Sequence, residues 1–107
     1  MNFFEEQLTQ GVFQICDCKK CNSILWPPRD ICNLCNEKTS WHKSSEIGTI
    51  IEFSKKDSIF FGLIEIDNGI RIIGKISSEG TPKIGQQVKM NAGFEKRPKY
   101  SFTVENN

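Results

Sequence analysis

Two short cysteine pairs constrain this chain more than anything else in it. Cys18-Lys19-Lys20-Cys21 recurs as Cys32-Asn33-Leu34-Cys35, with ten residues between the pairs. Two residues between thiolates let both sulfurs reach one ion at about 2.3 Å, while backbone N–H groups of the same turn point at sulfur. Such a knuckle calls for a residue at positive φ after its second cysteine. Asparagine, which after glycine tolerates that conformation best, follows both pairs as Asn22 and Asn36. Two knuckles supply four thiolates, Cys18, Cys21, Cys32 and Cys35, and leave no coordination position for water, so the metal is structural. Zinc is the expected ion. Iron in the same cage would make a rubredoxin-like electron carrier, revealed by its red colour.

The chain has 107 residues and five cysteines, all between positions 16 and 35. An odd, tightly clustered set reads poorly as a disulfide framework. Residues 1–6 lack the basic start and apolar run of a secretory signal, and no apolar stretch approaches the ~18 residues that span a bilayer. The expected location is therefore a reducing cytoplasm, with no membrane partner. Cys16 stands too close to Cys18 for a third knuckle and reads as a spare, partly buried thiol. His42, beside Trp41, reads as an ordinary histidine. A loop region of this size cannot offset an ordering cost of ~1–2 kcal/mol per residue with so few apolar side chains. Removing the metal is thus expected to melt residues 15–43 and leave the C-terminal part of the chain largely folded.

Around the ribbon the pattern changes. Residues 2–10 predict a short helix with Phe4 and Leu8 on one side, ended at Gly11, which needs something to dock on, either this chain's own core or another chain. Pro27-Pro28 argues against a helix between the knuckles, where small loops are expected. From residue 46 onward, five short runs rich in β-branched and aromatic residues predict antiparallel strands, with Asp67-Asn68-Gly69 as a hairpin turn. Five strands in so short a stretch suggest a small closed barrel of the oligonucleotide/oligosaccharide-binding (OB) kind, without the helix often found between its third and fourth strands. Glycines 48, 62, 74 and 93 are where it could coil sharply. The expected class is mostly β, divided into a helical arm (1–14), a rubredoxin-like zinc ribbon (15–43) and a five-stranded OB barrel (44–107).

The run from Cys18 to Cys35, with Trp26-Pro27-Pro28-Arg29 between the two knuckles, resembles a specific family. These are the zinc-ribbon plus OB-fold proteins associated with acyl-CoA enzymes, long known as a domain of unknown function. Trp41, Gly48-Thr49-Ile50 and Ile84-Gly85-Gln86-Gln87-Val88 also match the family pattern, so the resemblance spans roughly residues 13–104. The family's usual glycine after the first knuckle is Asn22 here, and the helical region before the ribbon is shortened. The resemblance implies an accessory subunit beside a thiolase, in some members bridging to a hydroxymethylglutaryl-CoA synthase, with the barrel holding or sheltering the CoA part of a substrate.

Taken by themselves, the residues offer no paired carboxylates near a histidine and no Ser-His-Asp motif, so the chain is expected not to be an enzyme. Contacts to CoA need cations for phosphate and a flat apolar surface for adenine. Arg29, Lys96 and Arg97, with Phe60, are the candidates. The alternative function is single-stranded nucleic-acid binding, using basic clusters and aromatics on a barrel of this type. Fourteen Lys and Arg against 13 Asp and Glu give a net charge of only +1, which weighs against it.

Overall fold

The structure is a computed structural model that describes residues 2–67 and 69–105. One helix, α1 (Phe3–Thr9), precedes eight strands: β1 (Gln14–Cys18), β2 (Ser23–Leu25), β3 (Ser40–Lys43), β4 (Ile47–Lys56), β5 (Ile59–Ile66), β6 (Ile70–Ser77), β7 (Gln87–Phe94) and β8 (Pro98–Val104). The helix starts where Asn2 can cap it. The Asn2 side chain accepts the Glu5 N–H at 2.8 Å and the Glu5 carboxylate accepts the Asn2 N–H at 3.2 Å, a reciprocal capping box. It ends at Gln10, followed by Gly11 at φ 75°.

Strands β4 to β8 close a barrel in the order β4-β5-β6-β8-β7, with β7 pairing back onto β4. All neighbours are antiparallel except β6 and β8, which run parallel from Lys75↔Ser101 to Ser77↔Thr103. That order with one parallel pair is the OB topology expected from the strand pattern, and residues 78–86 link β6 to β7 without a helix. Alternate residues of β6 (Ile70, Ile72, Gly74, Ile76) are buried and their neighbours exposed, as a strand with one face on a core requires. Gly62 and Gly74 lie opposite each other on β5 and β6. A Cβ on Gly62 would come within 2.4 Å of Ile76 Cδ1, and one on Gly74 within 2.8 Å of both the Phe102 ring and the Tyr100 carbonyl oxygen. The bare backbone there makes room for Ile76 and Phe102 to fill the interior. Gly93 meets nothing within 4 Å, so it does not share that task. Of the expected hairpin turn, Asp67 and Gly69 both take positive φ, while Asn68 lies outside the described residues.

The cysteine region departs from the expected loops. It forms a three-stranded sheet, β2-β1-β3, with Cys16 paired to Leu25 on one side and Trp41 on the other. β1 could not be read from periodicity, because its buried positions, Ile15, Cys16 and Cys18, do not alternate along the strand.

The main core joins the helix, the start of the ribbon and the barrel, while Cys16, Cys18, Leu25 and Cys32 form a second small cluster, with Trp41 packed against both. Phe4, Leu8, Phe13 and Ile15 belong to the same buried cluster as Ile50, Ile64, Met90 and Phe102 of the barrel. The helix therefore docks on its own chain through Phe4 and Leu8, while Phe3 stays 43% exposed, edge-on to Trp41 at 5.3 Å. Phe13 is fully buried and meets Phe4, Trp26 and Tyr100 at ring-centroid distances of 5.8, 5.6 and 5.7 Å. A polar clamp holds the other side of this junction. The Ser44 N–H donates to the Phe13 carbonyl at 2.9 Å, and the Phe13 N–H donates to the Glu46 carboxylate at 3.1 Å. The Ser44 and Ser45 hydroxyls both donate to the Asp67 carboxylate, and the Met90 N–H donates to the Glu46 carbonyl at 2.7 Å.

Candidate metal centre

Cys18 is the last residue of β1, and the chain turns back through Asn22 at φ 52° into β2. That turn aims the Cys21 N–H at Cys18 Sγ, 3.4 Å away. The second knuckle is built without a hairpin of strands. Ile31 bridges to Lys38, the Cys32 N–H donates to the Glu37 carbonyl at 2.8 Å, and the Asn36 N–H donates to the Cys32 carbonyl at 2.8 Å. Asn36 takes φ 62°, so both asparagines occupy the conformation that the spacing demands.

The four sulfurs of Cys18, Cys21, Cys32 and Cys35 lie within 4.8 Å of one another. Cys18 and Cys35 are 3.4 Å apart, and Cys21 and Cys32 3.9 Å. A tetrahedron with metal–sulfur bonds of about 2.3 Å has edges of about 3.8 Å. The donor set and its spacing thus fit a tetrahedral thiophilic ion, and the cluster can hold one. Cys18 and Cys32 are buried and Cys21 and Cys35 half-buried, so the centre sits at the rim of the ribbon. The Leu34 and Cys35 N–H groups draw the Cys32 thiol down to about 7, whereas hydrogen bonds shared with Cys35 and Cys18 push Cys21 up to about 12. Sulfurs this close compete for protons, and a cation that displaces those protons relieves the competition.

Cys16 stands outside the cluster with a different task. It is fully buried, accepts the Arg29 N–H at 3.4 Å and donates to the Arg29 carbonyl at 3.5 Å. Burial pushes its thiol up, against the opposing pull of the Arg29 N–H. The same carbonyl accepts the Thr39 hydroxyl at 2.6 Å. Cys16 therefore pins the Pro-Pro-Arg segment between the knuckles to β1, a role its position in the sequence did not reveal. His42 is exposed and faces Asp17 at 3.8 Å, away from the sulfurs. Ser44, Glu46 and Asp67 were also not singled out, because no local motif marks a hydrogen-bond network spanning thirty or more positions.

The candidate CoA contacts are not brought into one place. Arg29 is exposed in the ribbon. Lys96 and Arg97 sit in the turn between β7 and β8. Phe60 is half-buried on β5, edge-on to Phe53 at 6.1 Å with the Lys55 ammonium 5.5 Å from its ring. Shallow cavities, among them the following three, indent the surface of the described residues. One of about 290 Å³ lies on the outer face of β4, β5 and β6 against Phe53, Phe61, Leu63 and Ile73. Another of about 270 Å³ lies beside Phe94 and Lys99. The third, of about 340 Å³, lies where Asn22, Ile24 and Trp26 of the ribbon face Gly69 and Ile70. None of the three is lined by Arg29, Phe60, Lys96 or Arg97. No helix among the described residues is long and apolar enough to cross a membrane.

No protein-family model and no curated protein matches the chain. Among the solved structures similar to it are the following two. The "Ltp2-ChsH2(DUF35) aldolase" matches at 16% identity over 95% of this chain and 91% of that one, with a TM-score of 0.74. A Sulfolobus solfataricus protein of unknown function from the DUF35 family matches at 21% identity over 95% of this chain and 82% of that one, with a TM-score of 0.65. At these identities the likeness is one of fold, and the fold is that of DUF35 proteins. The expectation of a chain that stands outside enzymes is corrected here, because this architecture occurs in a structure described as an aldolase. The physical reason is simple. The lack of a catalytic constellation within one small chain says nothing about a site completed with another chain.

Proposed function

We propose that this chain is a zinc-bearing subunit of an enzyme assembly of the aldolase or thiolase type that acts on acyl-CoA substrates. In this reading Cys18, Cys21, Cys32 and Cys35 hold Zn(II), which supplies rigidity to the ribbon and takes no part in bond making. The observation that carries the reading is that a chain joining a four-thiol ribbon to a closed OB barrel has, over 95% of its length, the fold of a structure described as a DUF35 aldolase. Shallow, open cavities such as these suit a site assembled between subunits better than one enclosed by a single chain. Lys96 and Arg97, in the turn between β7 and β8, are the cations we assign to the CoA phosphates.

The test is affinity purification of the tagged chain from its native host. Copurification of a thiolase-like or aldolase-like enzyme, with acyl-CoA turnover that falls when this chain is removed, is the expected result. A chain recovered alone, with no effect on acyl-CoA turnover by any such enzyme of that host, would sink the proposal.

A further inference from the structure

Strand β4 is only half used by the barrel. Its first residues, Ile47 to Thr49, pair with β7, and the Ile50 backbone exchanges hydrogen bonds with Gln86 and Gly85. A bulge then interrupts the ladder between Ile50 and Glu52, and from there the strand pairs with β5 alone. Among the described residues, no backbone hydrogen bond or strand pairing occupies the other edge of residues 51–56. Six residues at about 3.3 Å each leave about 20 Å of unpaired N–H and C=O groups, a template for another strand.

We propose that this edge pairs with the same edge of a second copy of the chain, antiparallel and centred on Ser54. A two-fold axis that sets identical antiparallel strands side by side lies perpendicular to the sheet, so each face stays on its own side. Residues that meet must then be of the same parity, which leaves few registers. Centred on Ser54, Glu52 of each copy lies opposite Lys56 of the other, and Phe53 lies opposite Lys55. Opposite charges so placed favour pairing, and like charges oppose it. Centring on Phe53 would set Glu52 against Ser54 and Lys55 against Ile51, pairing no opposite charges, and could not extend to Lys56 because the Ile50 backbone is already bonded. Centring on Lys55 would put that lysine against itself, and centring on Glu52 would do the same to the carboxylate. Lys56 is thus matched by Glu52 in one self-complementary register, while Lys55 faces Phe53 rather than another cation.

The outer face agrees. Glu52, Ser54 and Lys56 lie opposite Leu63, Phe61 and Ile59 of β5. Phe61 and Ile73, which border the cavity there, are 39% and 71% exposed. Pairing through Ser54 would place the two Phe61 side chains in one row and join the two cavities into a single apolar surface. An edge of this length buries less than a standard interface of about 1,600 Å², so the dimer is weak.

Sedimentation equilibrium of the intact, metal-loaded chain up to about 0.5 mM at low salt tests the pairing. The average mass is expected to rise from monomer toward dimer with concentration. Glu52→Lys and Lys56→Glu should each weaken the dimer about tenfold or more, and the double exchange should restore it to within about threefold. Both positions are exposed, and the near-UV spectrum checks that each variant is folded. A chain that stays monomeric overturns the proposal. So does a dimer indifferent to the charge reversals, or a double exchange that fails to rescue. Protection of the residue 51–56 amides only on adding an extended foreign peptide, with the chain itself monomeric, would assign the edge to another protein and overturn it equally.

Discussion

Replacing Phe13 with alanine is expected to remove about 5 kcal/mol of stability, and the location of the damage matters more than its size. A Phe→Ala change in a packed core costs about 3–5 kcal/mol. Phe13 belongs at the upper end because it is fully buried and holds three edge-to-face partners, Phe4 from the helix, Trp26 from the ribbon and Tyr100 from the barrel. Each such pair adds about 0.5–1.5 kcal/mol beyond the area it covers. At about 4–8 °C per kcal/mol for a domain near this size, the midpoint of melting should fall by about 20 °C or more. Urea unfolding separates the parts, because both tryptophans, Trp26 and Trp41, lie in the ribbon, while far-UV circular dichroism is dominated by the barrel strands. The two signals should report one transition in the wild type. In Phe13→Ala the fluorescence should move to lower urea ahead of the dichroism, since the ring is what ties the ribbon to the barrel. Phe13→Leu, which keeps most of the volume but loses the aromatic edges, should show a smaller loss and less separation. A loss under about 1 kcal/mol, or tryptophan signals that do not move, would refute the view that Phe13 is the keystone of the junction.

Serine at any one of Cys18, Cys21, Cys32 or Cys35 should abolish stoichiometric metal binding, measured by elemental analysis, and should collapse the near-UV signals of Trp26 and Trp41. Cys16→Ala should retain full metal yet lose about 1–3 kcal/mol, because the fully buried sulfur and its two hydrogen bonds to the Arg29 backbone are lost; metal loss in that variant would place Cys16 among the ligands. Burial pushes Tyr100 up to about 12 from an ordinary value near 10. The folded chain then holds a proton that the unfolded chain releases, so stability is intact below pH 10 and declines as pH rises toward 12. Tyr100→Phe should remove that part of the alkaline decline, read as a smaller drop in melting temperature between pH 9 and 11.5, and an identical drop in both proteins would count against it. Gly74→Ala should destabilise the barrel by about 1–3 kcal/mol, since its Cβ would press on the Tyr100 carbonyl as well as on a movable ring; a neutral result in urea unfolding would mean the strands can separate there.

Legibility from sequence tracks the reach of the interactions. The metal centre could be read because its chemistry is local. Two residues between sulfurs and an asparagine after each pair set the knuckle geometry within a handful of positions, and the structure places Asn22 and Asn36 at positive φ accordingly. The barrel could be read for a similar reason, because alternation along Ile70 to Ile76 is a property of one strand. Closure was implied by the number and shortness of the strands, although the parallel β6–β8 contact needed the chain to come together first.

Where partners are distant, the sequence was silent. The ribbon's three-stranded sheet hid behind prolines and polar residues, since β1 pairs with β3 across more than twenty positions. Cys16 and Arg29, or Glu46 and Phe13, meet only through the fold, and no spacing rule links them. Amino-acid order by itself determined the sulfur cage and the strand pattern, because each rests on neighbours along the chain. Only the tertiary structure decided that the helix and the start of the ribbon share the barrel's core, that the candidate CoA contacts stand apart, and that half of β4 is left with an open edge. Those outcomes depend on which surfaces meet in space, and that is decided by the packing of the whole chain.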